Sequence, residues 1–306
     1  MIIIMMMSDI VVTERIADLN NDEIQTKDDY LMLIPRNLPQ GFFSLLAVGS
    51  SGSGKTNAVI NLIEKLKPYY NVYILISPTG CIDIERGKRG EKKYNKLKIK
   101  FDEEHSGYHR GLIADIIDRQ KQRLISYEDW LKYDKIYEKA VEYLSINQEE
   151  NAIYGFKDVD FIMKYDFCKP NDKNYFKQQE PPTCMLIIDD MGSTSIYSNG
   201  SSLGELISLQ MKNRHYKISV LNLLQAYKLC PRSIRLNSRV MMLFPCKSKK
   251  MILEFADTCN GQYCPEEFLQ LYDYATRDKP YDFLYIDCNE KGFRKNFNEK
   301  IDIKKI

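Results

Sequence analysis

FFSLLAVGSSGSGKT, residues 42–56, decides the fold. The apolar run at 42–48 reads as a buried strand, because a short, uninterrupted apolar run closed by glycine suits a strand covered on both faces. GSSGSGKT, residues 49–56, follows at once and matches G-x-x-x-x-G-K-T in full. A helix is expected over 55–67, with Ala58, Leu62, Ile63 and Leu66 on one face and Pro68 marking its end. Strand, glycine-rich loop and helix in that order are the context a phosphate-binding loop requires.

The chemistry of the loop follows from its residue types. Gly49, Gly52 and Gly54 let backbone N–H groups converge on phosphate oxygens without a Cβ in the way. Together with Ser50, Ser51 and Ser53 they form the candidate ATP-binding cradle. The positive end of the following helix faces the anion. Lys55 neutralises β- and γ-phosphate charge, and the Thr56 hydroxyl is a candidate ligand for Mg²⁺.

Downstream the chain alternates. Strands are expected at 71–76, 184–188, 218–224, 239–244 and 282–287. Helices are expected at 201–213, 231–236, 248–258 and 265–275. This alternation indicates a P-loop α/β domain, a mainly parallel sheet flanked by helices. The interval between Ile76 and Cys184 is too long for a loop in such a domain. It reads as an insertion or subdomain over 81–182, with helices near 110–125 and 127–147 and an aromatic-rich stretch at 154–176 that has no clear reading. The domain limits are 41–295, with an extension at 1–40 and a tail at 296–306.

Asp189 and Asp190 end the apolar run MLII, at the strand tip where open α/β sheets bind ligands. Asp189 suits Mg²⁺, directly or through water, and Asp190 suits a general base acting on the attacking water. The bland reading is an acidic turn before Met191 and Gly192. Residues 189–192 also fit the D-x-x-G signature of GTPases. The base-reading motif of those enzymes is found only at 26–29, ahead of the loop, so that reading is disfavoured. Gln225 ends the next strand, as a γ-phosphate contact or as an ordinary solvent-facing strand end. Arg214, Arg232, Arg235 and Arg239 flank this region. A cation offered to a neighbouring subunit's γ-phosphate would stabilise transition-state charge. Spacing selects none of the four; Arg214 and Arg235 stand as the catalytic candidates.

Residues 86–100 carry eight basic side chains against Glu91 alone. Arg86, Lys88, Arg89, Lys92 and Lys93 are candidate DNA contacts, binding that would weaken as salt rises. A nuclear-targeting run or a solvated loop fits the same composition. The whole chain of 306 residues has a formal net charge of only +2, so any nucleic-acid contact rests on local patches. The eight cysteines form no CxxC pair and read as reduced thiols rather than as a disulfide framework or a zinc site. The opening MIIIMMM has no basic flank or cleavage site and is too short to span a bilayer. No later apolar run reaches that length, so a soluble protein without a membrane span is expected.

From the loop to about residue 295 the chain resembles the packaging ATPases of large double-stranded DNA viruses, the vaccinia-type branch of the FtsK/HerA P-loop superfamily. The resemblance rests on GSSGSGKT, on MLIIDDMG at 185–192, on NRHYKISVLNLLQAYKLCPRSIRLNSRV at 213–240 and on YDFLYID at 281–287. The block at 213–240 is the specific one: Arg-His before a strand ending in Gln, then Pro and Ile-Arg-x-Asn. Cellular relatives usually carry Asp-Glu where this chain has Asp189-Asp190. The resemblance implies an ATPase, with ATP and Mg²⁺, that drives double-stranded DNA into a preformed capsid. It also implies pentameric or hexameric rings, a capsid or portal partner and action in the host-cell cytoplasm. Gln225 would be the γ-phosphate sensor, and an arginine finger would act in trans. Three rivals remain: a P-loop kinase for a small molecule or nucleoside, a module that only holds ATP, and a plasmid- or conjugation-type DNA pump.

Overall fold

Among the residues that the computed structural model describes (10–15, 34–78, 100–149, 151–198, 200–259, 263–289 and 292–303), ten strands form one sheet. In chain order they are β1 (Ile10–Arg15), β2 (Ser44–Val48), β3 (Val72–Ile76), β4 (Glu103–His105), β5 (Cys184–Asp189), β6 (Ile218–Leu224), β7 (Val240–Leu243), β8 (Leu284–Asp287), β9 (Gly292–Lys295) and β10 (Glu299–Ile303). The helices are α1 (Lys55–Leu66), α2 (Leu112–Ile146), α3 (Val159–Met163), α4 (Ser201–Met211), α5 (Asn213–Tyr216), α6 (Arg232–Leu236), α7 (Lys249–Cys259) and α8 (Pro265–Thr276). Across the sheet the order is β1-β10-β9-β8-β7-β2-β6-β5-β3-β4. The strands from β7 to β4 run parallel, and β8, β9, β10 and β1 continue the sheet antiparallel.

The register explains why the central strands read as unbroken apolar runs. Leu45 on β2 lies opposite Leu221 on β6 and Val240 on β7. These residues share one face with Ala47, Leu223, Met242, Met185, Ile187, Tyr73 and Leu75, packed with Leu62, Ile63 and Leu66 of α1. The alternate residues Leu46, Val48, Ile74, Leu186, Ile188, Leu224 and Met241 are also buried. Both faces are therefore covered, and no polar alternation survives in the sequence. Burying a side chain such as Leu62 or Ile63 contributes roughly 1.5–3 kcal/mol.

β2 sits between β6 and β7, near the middle of the sheet. That position brings the loop after β2 beside the C-terminal tips of β5 and β6, where crossovers leave a crevice.

The structure departs from the sequence expectations in three places. The helices expected at 110–125 and 127–147 are one continuous helix, α2; its 35 residues contain no Gly or Pro to break it. Residues 296–306, expected as a tail, carry β10, which pairs with β9 and with β1 from the expected N-terminal extension. The interval read as an insertion over 81–182 divides: β4 joins the main sheet beside β3, and a separate compact unit covers Asp115–Pro182.

That second unit has its own core. Tyr133, Ile136 and Ala140 of α2 pack with Ile162 and Phe176, and Trp130, Tyr137, Phe161, Tyr165 and Phe167 pack around them. The Tyr133 and Phe176 rings are 4.7 Å apart. Polar tips are satisfied at the edge: Trp130 Nε1 donates to Pro170 O at 2.9 Å, and Tyr133 Oη donates to Cys168 O at 2.6 Å. The aromatic stretch at 154–176 thus supplies one half of a core whose other half lies on α2. No helix among the described residues is long and apolar enough to cross a membrane.

Candidate nucleotide site

The loop after β2 is anchored at both ends. Gly49 N donates to Leu224 O at 3.2 Å, tying the loop's start to the end of β6. A Cβ on Gly49 would stand 2.5 Å from Phe244 Cβ, so only glycine allows the strand end to approach Phe244 so closely. Ser53 N closes a turn onto Ser50 O at 3.2 Å. Gly54 then takes φ 94° as the N-cap of α1, a left-handed conformation that suits glycine and aims the first helical N–H groups into the loop.

Lys55 opens α1 and is buried, with 8% of its surface exposed. Its Nζ donates to Gly49 O at 2.6 Å and to Ser50 O at 2.9 Å. The ammonium is thereby held inside the loop's curve. Ser53 Oγ is buried there without a hydrogen-bond partner among the described residues. A buried hydroxyl without a partner is costly, and an anion in the loop would satisfy it.

Facing the loop, Asp189 ends β5 at 2% exposure. Asp190 follows at φ 62°, a left-handed conformation that aspartate tolerates better than most residues, and its N–H donates to Leu223 O at 3.1 Å. Gln225 Nε2 donates to Asp190 Oδ1 at 2.5 Å. One cleft of about 280 Å³ is lined by Ser51, Gly52, Gly54, Lys55, Thr56, Asn57, Asp189, Asp190, Gln225 and Tyr281. Residues read separately from two motifs and a strand end therefore face one space.

A network beneath the cleft was not legible from any motif. Asn222, in the middle of buried β6, accepts from Tyr197 Oη at 2.9 Å and donates to Leu45 O at 3.4 Å. It ties the segment after Asp190 to β6 and β2. The Tyr197 hydroxyl is held well above its usual pKa, first by burial and then by Cys230 and Asp189. Sequence reading also missed Tyr281 and Asn57, which line the cleft. Asn57 directly follows the loop and Tyr281 opens the run at 281–287, but neither position gave a reason to expect a place in the cleft, which only the fold supplies.

The arginines divide by environment. Arg214 on α5 and Arg232 at the start of α6 are exposed. Arg235 lies 4.4 Å from the Tyr227 ring centroid, a cation–π contact. It also draws down the Cys230 thiol, which burial nevertheless pushes up to about 12. Arg239 Nη1 donates to Gln40 O at 2.9 Å, and its Nε stands 3.9 Å from Asp287 Oδ1. Arg86, Lys88, Arg89, Lys92 and Lys93 lie outside the described residues. Cys168, Cys230, Cys246, Cys264 and Cys288 are free thiols.

For a magnesium ion the cleft offers the Thr56 hydroxyl and the Asp189 carboxylate, with Asp190 beside it. This is a hard, all-oxygen set. No group of three or more His, Cys, Asp or Glu able to hold a metal exists among the described residues. Few protein ligands plus phosphate oxygens is how magnesium enters nucleotide sites, so the donor set fits.

No protein-family model matches the chain, and no curated protein matches it significantly. Solved structures are similar to it at low identity, among them these three. The genome packaging NTPase B204 from Sulfolobus turreted icosahedral virus 2, in complex with AMP, is 14% identical with a TM-score of 0.46, covering 83% of this chain and 96% of its own. EssC (ATPases 2 and 3) from Geobacillus thermodenitrificans is 10% identical with a TM-score of 0.47, covering 86% of this chain and 40% of its own. The pCW3 conjugation coupling protein TcpA with ATPγS is 14% identical with a TM-score of 0.37, covering 80% of this chain and 57% of its own. None reaches 0.5, so the P-loop α/β architecture rests on this chain's own strand order, register and loop geometry.

Proposed function

We propose that this protein hydrolyses ATP at the cleft between the 49–56 loop and the tips of β5 and β6. The observation that carries the reading is the convergence of Lys55, Thr56, Asp189, Asp190 and Gln225 on one space. Two carboxylates at one strand tip, opposite a lysine within a phosphate loop, suit phosphoryl transfer to water. The loop N–H groups and Lys55 hold the phosphates, with the lysine exchanging its two carbonyl acceptors for phosphate oxygens. Thr56 and Asp189 would hold the magnesium ion, which when bound supplies charge neutralisation at the β- and γ-phosphates. Asp190 takes a proton from the attacking water as oxygen bonds to the γ-phosphorus and the bond to the β–γ bridging oxygen breaks. Gln225, bonded to Asp190, reports the occupancy of that position to the segment after β6.

The coupled work in this proposal is translocation of double-stranded DNA, and specifically packaging of a viral genome by a ring of subunits. The resemblance over 213–240 supports it, together with the basic run at 86–100. Of the four candidate arginines, Arg214 and Arg232 are exposed enough to reach a neighbouring subunit, whereas Arg235 and Arg239 have partners within the chain.

ATP turnover with and without double-stranded DNA tests the reading, beside Lys55→Ala and Asp190→Asn. DNA-stimulated hydrolysis abolished by both substitutions is the expected result. Hydrolysis indifferent to DNA, with phosphate transferred to a nucleoside, would establish a kinase instead. Separate substitution of Arg214 and Arg232 by Ala should identify the finger: its loss lowers assembled turnover by about 10³-fold or more.

A further inference from the structure

The nucleotide cleft adjoins a larger groove of about 760 Å³ that the motifs do not account for. Gly54, Asn57 and Tyr281 line both spaces, so the two are continuous. One wall of the groove is the exposed side of α1, with Asn57 and Asn61. The other wall is formed by the turn before β8 and the turn between β9 and β10, with Lys279 and Asn298. Asp282 also lines it but is 6% exposed and committed, accepting from Asn296 Nδ2 at 2.9 Å and lying 3.6 Å from Lys295 Nζ.

Tyr281 stands at the junction. It is 60% exposed, unusual for a large aromatic beside a site, yet its ring lies against the phosphate loop. A Cβ on Gly54 would come within 2.9 Å of Tyr281 Cδ1. The sheet order gives this position a meaning. Asp189, Asp190 and Gln225 lie at the tips of β5 and β6, on one side of β2, and the groove's second wall comes from the turns before β8 and after β9, on the other side. A nucleoside triphosphate with its γ-phosphate at the carboxylates must carry its other end past the start of α1, toward Tyr281.

The lining matches what that end needs. An exposed ring offers a face on which a base can stack. Asparagine amides offer both donors and acceptors, which the edges of bases and ribose hydroxyls require. We infer that this groove is the nucleoside subsite of the cleft, with the base stacked on Tyr281. The inference rests on the nucleotide reading proposed above and adds the residues that recognise the part of the ligand the phosphate loop cannot distinguish.

Equilibrium titration with two probes, MgATP and magnesium tripolyphosphate, tests it on the full chain and on Tyr281→Ala, Tyr281→Phe and Lys55→Ala. Wild type should bind ATP at least tenfold more tightly than tripolyphosphate. Tyr281→Ala should lose about tenfold in ATP affinity, leave tripolyphosphate affinity unchanged, and melt like wild type, since the ring is exposed. Tyr281→Phe should retain ATP affinity, and Lys55→Ala should weaken both probes. The inference is overturned if Tyr281→Ala binds ATP as wild type does, including the case in which only self-association changes. Equal loss of both probes in Tyr281→Ala overturns it too, because the ring would then act only through the loop. Equal affinity of wild type for the two probes removes the nucleoside subsite while leaving the phosphate site standing. Binding of neither probe removes the nucleotide reading itself.

Discussion

Asp190 combines two demands in one residue. Its carboxylate faces the cleft, and its backbone holds φ 62° at the end of a buried strand. The left-handed region costs an ordinary L-residue about 1–2 kcal/mol, whereas Asn and Asp visit it readily. Asp190→Asn therefore removes the base while keeping the backbone, and Asp190→Ala changes both. Hydrolysis should fall about 10²–10⁴-fold in either variant, the usual contribution of a positioned base. Only the alanine variant should also lose about 1–2 kcal/mol of stability, measured by urea unfolding. If Asp190→Asn hydrolyses ATP like wild type, Asp190 is not the base. Nothing in the letters DD distinguishes these two roles; the backbone conformation does.

Among the elements, β6 shows how a site is held from behind. Its seven residues are all buried, and Asn222 is the single amide among them, with Ser219 the other polar member. Read as sequence, Asn222 is an anomaly in an apolar strand. In the fold it links Tyr197 and Leu45, so the strand that leads into Gln225 is joined to the segment following Asp190. Asn222→Leu leaves the buried Tyr197 hydroxyl without its acceptor. The expected loss is about 1–3 kcal/mol, the cost of an unsatisfied buried group. Tyr197→Phe in that background should recover most of it, since both polar partners are then gone. Strictly additive losses in the double variant would show that the bond does not matter.

The same scale shows what sequence can reveal. β2, β3, β5, β6 and β7 were legible because both their faces are buried and their apolar runs are unbroken. β4 reads Glu-Glu-His, β9 reads Gly-Phe-Arg-Lys and β10 reads Glu-Lys-Ile-Asp-Ile. These strands are short and charged, and they bury at most a single apolar side chain each, Phe293 in β9 and Ile301 in β10, so no apolar run marks them. Of the candidate site, the residues fixed by phosphate chemistry were legible. Tyr281, Asn57 and the Asn222–Tyr197 pair were not, because spatial proximity rather than spacing defines them.

For the molecule as a whole, the two compact units among the described residues, each with its own hydrophobic cluster, predict two levels of cooperativity. The sheet core joins α1 to the central strands, and the Asp115–Pro182 unit is organised around Tyr133, which is fully buried among Phe161, Tyr165 and Phe176. Replacing a buried aromatic by alanine costs about 3–5 kcal/mol, a large share of what a unit of this size can hold. Regions with their own core open as their own units in hydrogen exchange. Tyr133→Ala should therefore speed exchange of amides in α2 beyond Asp115 and in 153–176. Amides of β2, β5 and β6 should keep wild-type protection, and MgATP affinity should stay within about twofold, because every proposed phosphate contact comes from the other unit. Exchange that rises equally in both sets of amides would mean one cooperative core. Nucleotide affinity lost while β2 and β6 stay protected would mean that the second unit shapes the cleft directly.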